Sequence, residues 1–175
     1  FGLSFAVSVA LLCLWRILLA PALPGYRQLS AADRAVLANS FVSCYPALTG
    51  PFLALGALFS LPISDNDQVF TAAPSTLALR AIGLSCGYML YDTAYSIWYK
   101  PLRSPLIIFH HVFSIVFFPY ATLQHRAILL VLFFVITEAT NIGQHMRVIM
   151  LKLGYERTKA YFVSVVGWAF AFFVV

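Results

Sequence analysis

Six apolar runs divide the chain, at about residues 2–23, 36–61, 77–98, 105–123, 127–149 and 159–175, with short polar stretches between them. A helix needs about 20 predominantly apolar residues to cross a bilayer, so each run predicts a spanning helix. The first holds Arg16 and closes at Pro21 and Pro24-Gly25. It has no basic stretch before its apolar run, so it reads as a spanning helix and not as a secretion signal. The second is interrupted by Pro46 and Gly50-Pro51, which predicts a kink or a break near residues 46–51. Ser30-Ala31-Ala32-Asp33 ahead of it is compatible with the start of an interfacial stretch but is too short to assign.

Composition agrees. The chain is 62% hydrophobic and 10% charged, where a soluble domain carries roughly 25% charged residues. Its mean hydropathy is +0.88. The expected fold is an all-α, polytopic transmembrane bundle of about six helices, forming one domain over residues 1–175. The chain starts at Phe1 and stops at Val175 inside an apolar run, so both ends read as cut.

The charges lie in the connections. Arg27 and Arg34, Lys100 and Arg103, and Lys152, Arg157 and Lys159 follow the first, third and fifth runs. The connection after the second run has Asp65 and Asp67 with no Lys or Arg, and the one after the fourth has Arg126. By the positive-inside rule the first, third and fifth connections are cytosolic, and the chain begins on the opposite side. That rule accounts for the net charge of +5 without a nucleic-acid partner. Cys13, Cys44 and Cys86 have no metal-ligand spacing and read as small apolar residues.

Several ionisable residues fall inside apolar runs, where each charge costs at least about 2.5–3.5 kcal/mol to insert. They converge in depth. Asp92 lies roughly 12 Å from the cytosolic end of the third run at about 1.5 Å per residue. His110 and His111 lie about 10 Å in from Arg103, and His145 about 10 Å in from Lys152. Asn141 is one turn deeper than His145, and Glu138 another. Glu138, Asn141 and His145 share one helix face, and so do Tyr88, Asp92 and Tyr95. Arg80 and Arg147 sit nearer helix ends and are placed to reach the interfaces with their long side chains.

The same residues also suit structural roles: Asp92 as a hydrogen-bonding partner, Glu138 as a packing anchor, His145 as an interfacial side chain. His110 and His111 are harder to read that way, because adjacent helical residues point about 100° apart. A His beside a carboxylate can take a proton from an amine or hydroxyl, with the carboxylate fixing its tautomer. His110, His111 and Asp92 are therefore the catalytic candidates, with Tyr88, Glu138, Asn141 and His145 as substrate-binding candidates. No tight ligand spacing points to a metal, and no HExxH, GxSxG, Walker or GxGxxG pattern is present.

Gly87-Tyr88-x-x-x-Asp92 followed by His110-His111-x-x-Ser114 resembles the TLC domain, with Tyr120, Glu138, Arg147 and the Asn39–Ser43 stretch as further similarities. That domain is shared by ceramide synthases, the translocating-chain-associating membrane protein and small lipid-homeostasis proteins. The resemblance covers nearly the whole chain. It implies an endoplasmic-reticulum or related membrane and a bundle enclosing a lipid-sized cavity. In ceramide synthases the matching His pair belongs to the site that moves an acyl group from acyl-CoA to a long-chain base. The synthases carry a His-Asp-x-x-x-Asp motif in the next helix, where this chain has Thr137-Glu138-Ala139-Thr140-Asn141, and Tyr45 stands where many small members have a His. The implied function is lipid homeostasis through a polar, lipid-accessible pocket in the cytosolic half of the bundle. The alternatives are an N-acyltransferase making ceramide-like sphingolipids, or a cargo or translocation accessory. The expected partners are membrane lipids, with a homo-oligomer left open. No cofactor is expected, and acyl-CoA would be the co-substrate of a synthase.

Overall fold

The computed structural model describes residues 1–61 and 73–174. The first helix, α1 (Gly2–Leu14), runs on through a π-helical turn (Trp15–Leu19) and a 3₁₀ turn (Ala20–Ala22). A 3₁₀ turn at Tyr26–Gln28 leads to α2 (Ala31–Phe59). Then come α3 (Thr76–Trp98), a 3₁₀ turn (Lys100–Leu102), α4 (Pro105–Leu123), α5 (Ile128–Thr137), a 3₁₀ turn (Glu138–Thr140), α6 (Asn141–Lys152) and α7 (Lys159–Val174). The described residues contain no strand. Asp65 and Asp67 lie outside them.

All six apolar runs are helical, and serine sets three of the starts. Asp33 N–H donates to Ser30 Oγ at 3.0 Å, Ala78 N–H to Ser75 Oγ at 3.2 Å, and Ile107 N–H to Ser104 Oγ at 3.5 Å. Each satisfies a first-turn amide that has no partner within its own helix. The Ser30–Asp33 stretch is therefore the cap and first turn of α2. Gly154, with φ of +80°, takes the left-handed conformation that follows a helix end cheaply only in glycine.

Of the kink or break expected at residues 46–51, the break is absent: α2 is continuous through Pro46 and Pro51. Both prolines are buried against neighbouring helices, and packed neighbours stabilise a membrane helix through missing amide bonds. Thr49 adds a hydroxyl bond to Tyr45 O at 2.8 Å just between them.

Among the described residues four helical stretches are long and apolar enough to cross a membrane: Gly2–Ala22, Ala31–Phe59, Pro105–Leu123 and Ile128–Lys152. The last joins α5 to α6 across the 3₁₀ turn. The third run is not among the four, because α3 carries Arg80, Ser85, Asp92, Ser96 and three tyrosines. Its position in the bundle explains this. It packs against α1, α2, α4 and α5, so most of its polar side chains face protein and not lipid. The second hub, α2, touches α3, α5 and α6, while α7 leans mainly on α6.

Close approach of α1 to α3 depends on Gly87. A Cβ there would lie 2.3 Å from Phe1 O and 2.8 Å from Ser4 Cβ. Ser4 Oγ donates to Leu84 O at 2.7 Å across the same contact. The outer surface is apolar, with Phe52, Phe113 and Phe173 exposed at 79%, 52% and 87%. A soluble monomer does not present patches of this kind, whereas a lipid-embedded bundle does. The chain is an integral membrane protein.

Candidate functional site

A cavity of about 530 Å³ opens between α2, α3, α4, the Glu138–Thr140 turn, α6 and α7. Tyr88, Asp92, His110, His111, Glu138, Asn141 and His145 all line it. Segments far apart in sequence thus bring their ionisable residues to one space, as their matched depths predict.

The adjacent histidines part company there. His111, on the inner side of α4, places Nδ1 3.3 Å from Asp92 Oδ2 on α3, and both side chains are buried. His110, half-exposed, places Nε2 3.7 Å from Glu138 Oε1. The angular offset of neighbouring helical residues is what sends the two rings to two different carboxylates. Their centroids are 5.5 Å apart.

Each carboxylate is also held by an amide. Asn39 Nδ2 donates to Asp92 Oδ1 at 2.5 Å, and Asn141 Nδ2 donates to Glu138 Oε2 at 2.6 Å. Two parallel chains result, Asn39–Asp92–His111 and Asn141–Glu138–His110. A buried carboxylate otherwise pays a large desolvation cost, which hydrogen bonds to its lone pairs reduce. Behind the first chain, Tyr88 Oη donates to Ser43 Oγ at 2.6 Å, and Ser43 Oγ donates to Asn39 O at 2.8 Å. The Tyr88 ring stands edge-on to His111 at 6.3 Å, and Thr93 Oγ1 lies 3.5 Å from His111 Nδ1.

Among the described residues no three His, Cys, Asp or Glu side chains converge on a metal-sized point. Among the described residues the cavity lining contains no Lys or Arg. The Oδ1 of Asn39 is buried and has no hydrogen-bond partner, although buried amide oxygens are nearly always paired.

The family model of the TLC domain matches residues 37–175. This chain belongs to the TLC-domain family. TLC domain-containing protein 4 A of Dictyostelium discoideum is 28% identical to it over 153 residues, covering 85% of this chain and 57% of the relative. The chain thus spans little more than half the length of the curated relative it matches. No solved structure matches it. The matched region of this TLC domain holds both histidine–carboxylate chains, while α1 and the Tyr26–Gln28 turn precede it.

Tyr95 of this TLC domain is buried, as an inward-facing helix position should be, but it does not line the cavity; Ser96 does. Four residues beyond Asp92 keeps the helix face, whereas three turns Tyr95 toward α1 and α2, where its hydroxyl bonds Ala35 O at 3.4 Å. The Arg147 guanidinium lies 5.5 Å from the Trp168 ring centroid, and among the described residues its buried Nε has no partner. Gly143 lets α6 and α7 approach there, since a Cβ would meet Trp168 Cβ at 2.7 Å. Arg80 is exposed. Asn39 and Ser43 are site residues that pairwise reading of the His and acidic positions passes over. Their signal is a polar pair four residues apart in an apolar run, on one helix face.

Proposed function

We propose that this TLC-domain protein acts in membrane lipid homeostasis by taking the polar end of a lipid into the cavity between α2, α3, α4 and α6. The observation that carries the reading is the buried Asn39–Asp92–His111 chain, whose three residues line that cavity. The two carboxylates call for a ligand that donates hydrogen bonds. The absence of Lys and Arg from the lining disfavours a phosphate. An unphosphorylated headgroup bearing hydroxyl or amine groups fits this donor–acceptor balance. The apolar walls from Met89, Leu102, Ile107, Val148 and Phe172 suit its hydrocarbon. The resemblance to family members favours the endoplasmic reticulum as the membrane.

A second reading is N-acyl transfer with acyl-CoA as co-substrate, and the His111–Asp92 geometry favours it. With Nδ1 toward Asp92, His111 Nε2 is free to take a proton from an attacking amine. Asp92 would stabilise the resulting imidazolium. The amine nitrogen would bond to the acyl carbon as the thioester C–S bond breaks, and CoA would leave as its thiol.

Quantitative lipid profiling of membranes separates the readings, comparing cells that express the protein, cells that lack it, and cells with His110→Ala/His111→Ala at equal level. Loss of particular N-acylated sphingolipids in the null cells, unrestored by the double variant, establishes transfer and displaces the homeostasis reading. A shift of unphosphorylated lipids with hydroxyl or amine headgroups, unrestored by the double variant and without loss of N-acylated products, supports a binding or homeostatic role at this cavity, and full restoration by the double variant overturns it. No lipid change in the null cells overturns both.

A further inference from the structure

A second polar cluster lies on the other side of α3, outside the cavity. Arg16, in the π turn that ends α1, donates from Nη2 to Tyr99 Oη at 2.8 Å and to Tyr95 Oη at 3.3 Å. Its guanidinium carbon is 5.9 Å from the Tyr99 ring centroid. These partners are neutral. Among the described residues no carboxylate lies within ion-pair distance of Arg16, although a charge at membrane depth is normally paired. Among the described residues the remaining guanidinium N–H groups have no acceptor. The Tyr99 hydroxyl accepts from Arg16, so its own hydrogen is free to donate outward, whereas Tyr95 is committed to Ala35 O. Donors from a guanidinium and a phenol thus converge on a face with no anion.

The surroundings indicate what the anion is attached to. Leu14, Ile17 and Leu18 flank Arg16 and are 40%, 70% and 61% exposed, and Trp98 beside Tyr99 is 81% exposed. Such side chains belong against acyl chains, with Trp and Tyr at headgroup level. The positive-inside count puts this end of α1 and α3 at the cytosolic interface. An arginine fork matches phosphate oxygens in a bidentate fashion. We propose that Arg16 and Tyr99 form a binding site for the phosphate of an anionic phospholipid of the cytosolic leaflet, on the outer α1–α3 face and separate from the cavity. The bound lipid would hold α1 against α3, since its phosphate bridges a residue of each.

The site is testable by native mass spectrometry of the protein released from phosphatidylcholine vesicles containing phosphatidylglycerol. Arg16→Gln is expected to reduce retained phosphatidylglycerol about tenfold, the effect of losing a charge-assisted bidentate contact. Tyr99→Phe keeps the ring and is expected to reduce it roughly threefold, the effect of one hydrogen bond. Arg126→Gln, which removes an equal charge at the opposite end of the bundle, should leave retention unchanged. Equal retention in Arg16→Gln and wild type overturns the site, as does equal loss in Arg126→Gln. If Arg16→Gln fails to insert, wild-type retention in Tyr99→Phe overturns it instead. Inorganic phosphate added to the detergent-solubilised protein distinguishes the source of the anion. Failure to displace the lipid supports the phospholipid, and displacement at equal concentration overturns it in favour of a free anion.

Discussion

Asn39 and Asn141 each occupy one oxygen of a carboxylate whose other oxygen faces a histidine. The two chains differ in burial, since His111 and Asp92 are enclosed while His110 is half-exposed. They should therefore couple unequally. Residues in direct contact couple by about 0.5–3 kcal/mol, and residues more than about 7–10 Å apart without shared partners add within about 0.5 kcal/mol. A double-mutant cycle on detergent unfolding with Asp92→Asn and His111→Ala is expected to show coupling of about 1–2 kcal/mol. The same cycle with Asp92→Asn and His110→Ala should show clearly weaker coupling, since His110 faces Glu138 and not Asp92. Equal coupling in both cycles would mean a single shared network and remove the basis for assigning each ring its own acid.

The helices hold these residues in place through close contacts that glycine permits. At Gly87 any side chain meets the backbone of Phe1 and the Cβ of Ser4, neither of which can swing aside. Gly87→Ala is thus expected to lower unfolding stability by about 1–3 kcal/mol, the cost of overpacking a filled contact. Gly83, one turn earlier, has only an ordinary 3.6 Å neighbour. Gly83→Ala should change stability by less than about 1 kcal/mol, helped by alanine's better helix propensity. Thermal unfolding of both variants in one detergent decides this, and similar losses would mean that α1 is not tightly seated on α3. The positions of the helices were legible from hydropathy because each run is bounded by capping serines, prolines or charges. The depth match of Asp92, His110, His111, Glu138 and His145 was legible too, since rise per residue fixes depth. What one-dimensional reading misses depends on neighbours. The continuity of α2 through Pro46 and Pro51 rests on burial by other helices. The role of Asn39 appears only once Asp92 is placed opposite it.

The arrangement of the whole bundle ties the cavity and the Arg16 cluster to one side of the membrane. Arg27, Arg34, Lys100, Arg103, Lys152, Arg157 and Lys159 all lie in the first, third and fifth connections, and Lys152 Nζ meets Asp33 Oδ1 at 2.5 Å, joining the end of α6 to the start of α2. That contact places two of those connections side by side, as a common cytosolic face requires. Arg157 follows α6 and Arg126 precedes α5, so the two lie at opposite ends of the α5–α6 span. A membrane-impermeant maleimide applied to sealed vesicles should therefore label Arg157→Cys only from the cytosolic side and Arg126→Cys only from the other. The native thiols leave a low background, because Cys86 is buried, Cys44 is half-buried and Cys13 lies in the lipid-facing part of α1. Labelling of both positions from one side would mean that α5 and α6 do not span together. The His110–Glu138 chain would then lose its place inside the bilayer. A reversed pattern would keep the bundle but put the opening of the cavity, and the lipid phosphate at Arg16, in the opposite leaflet.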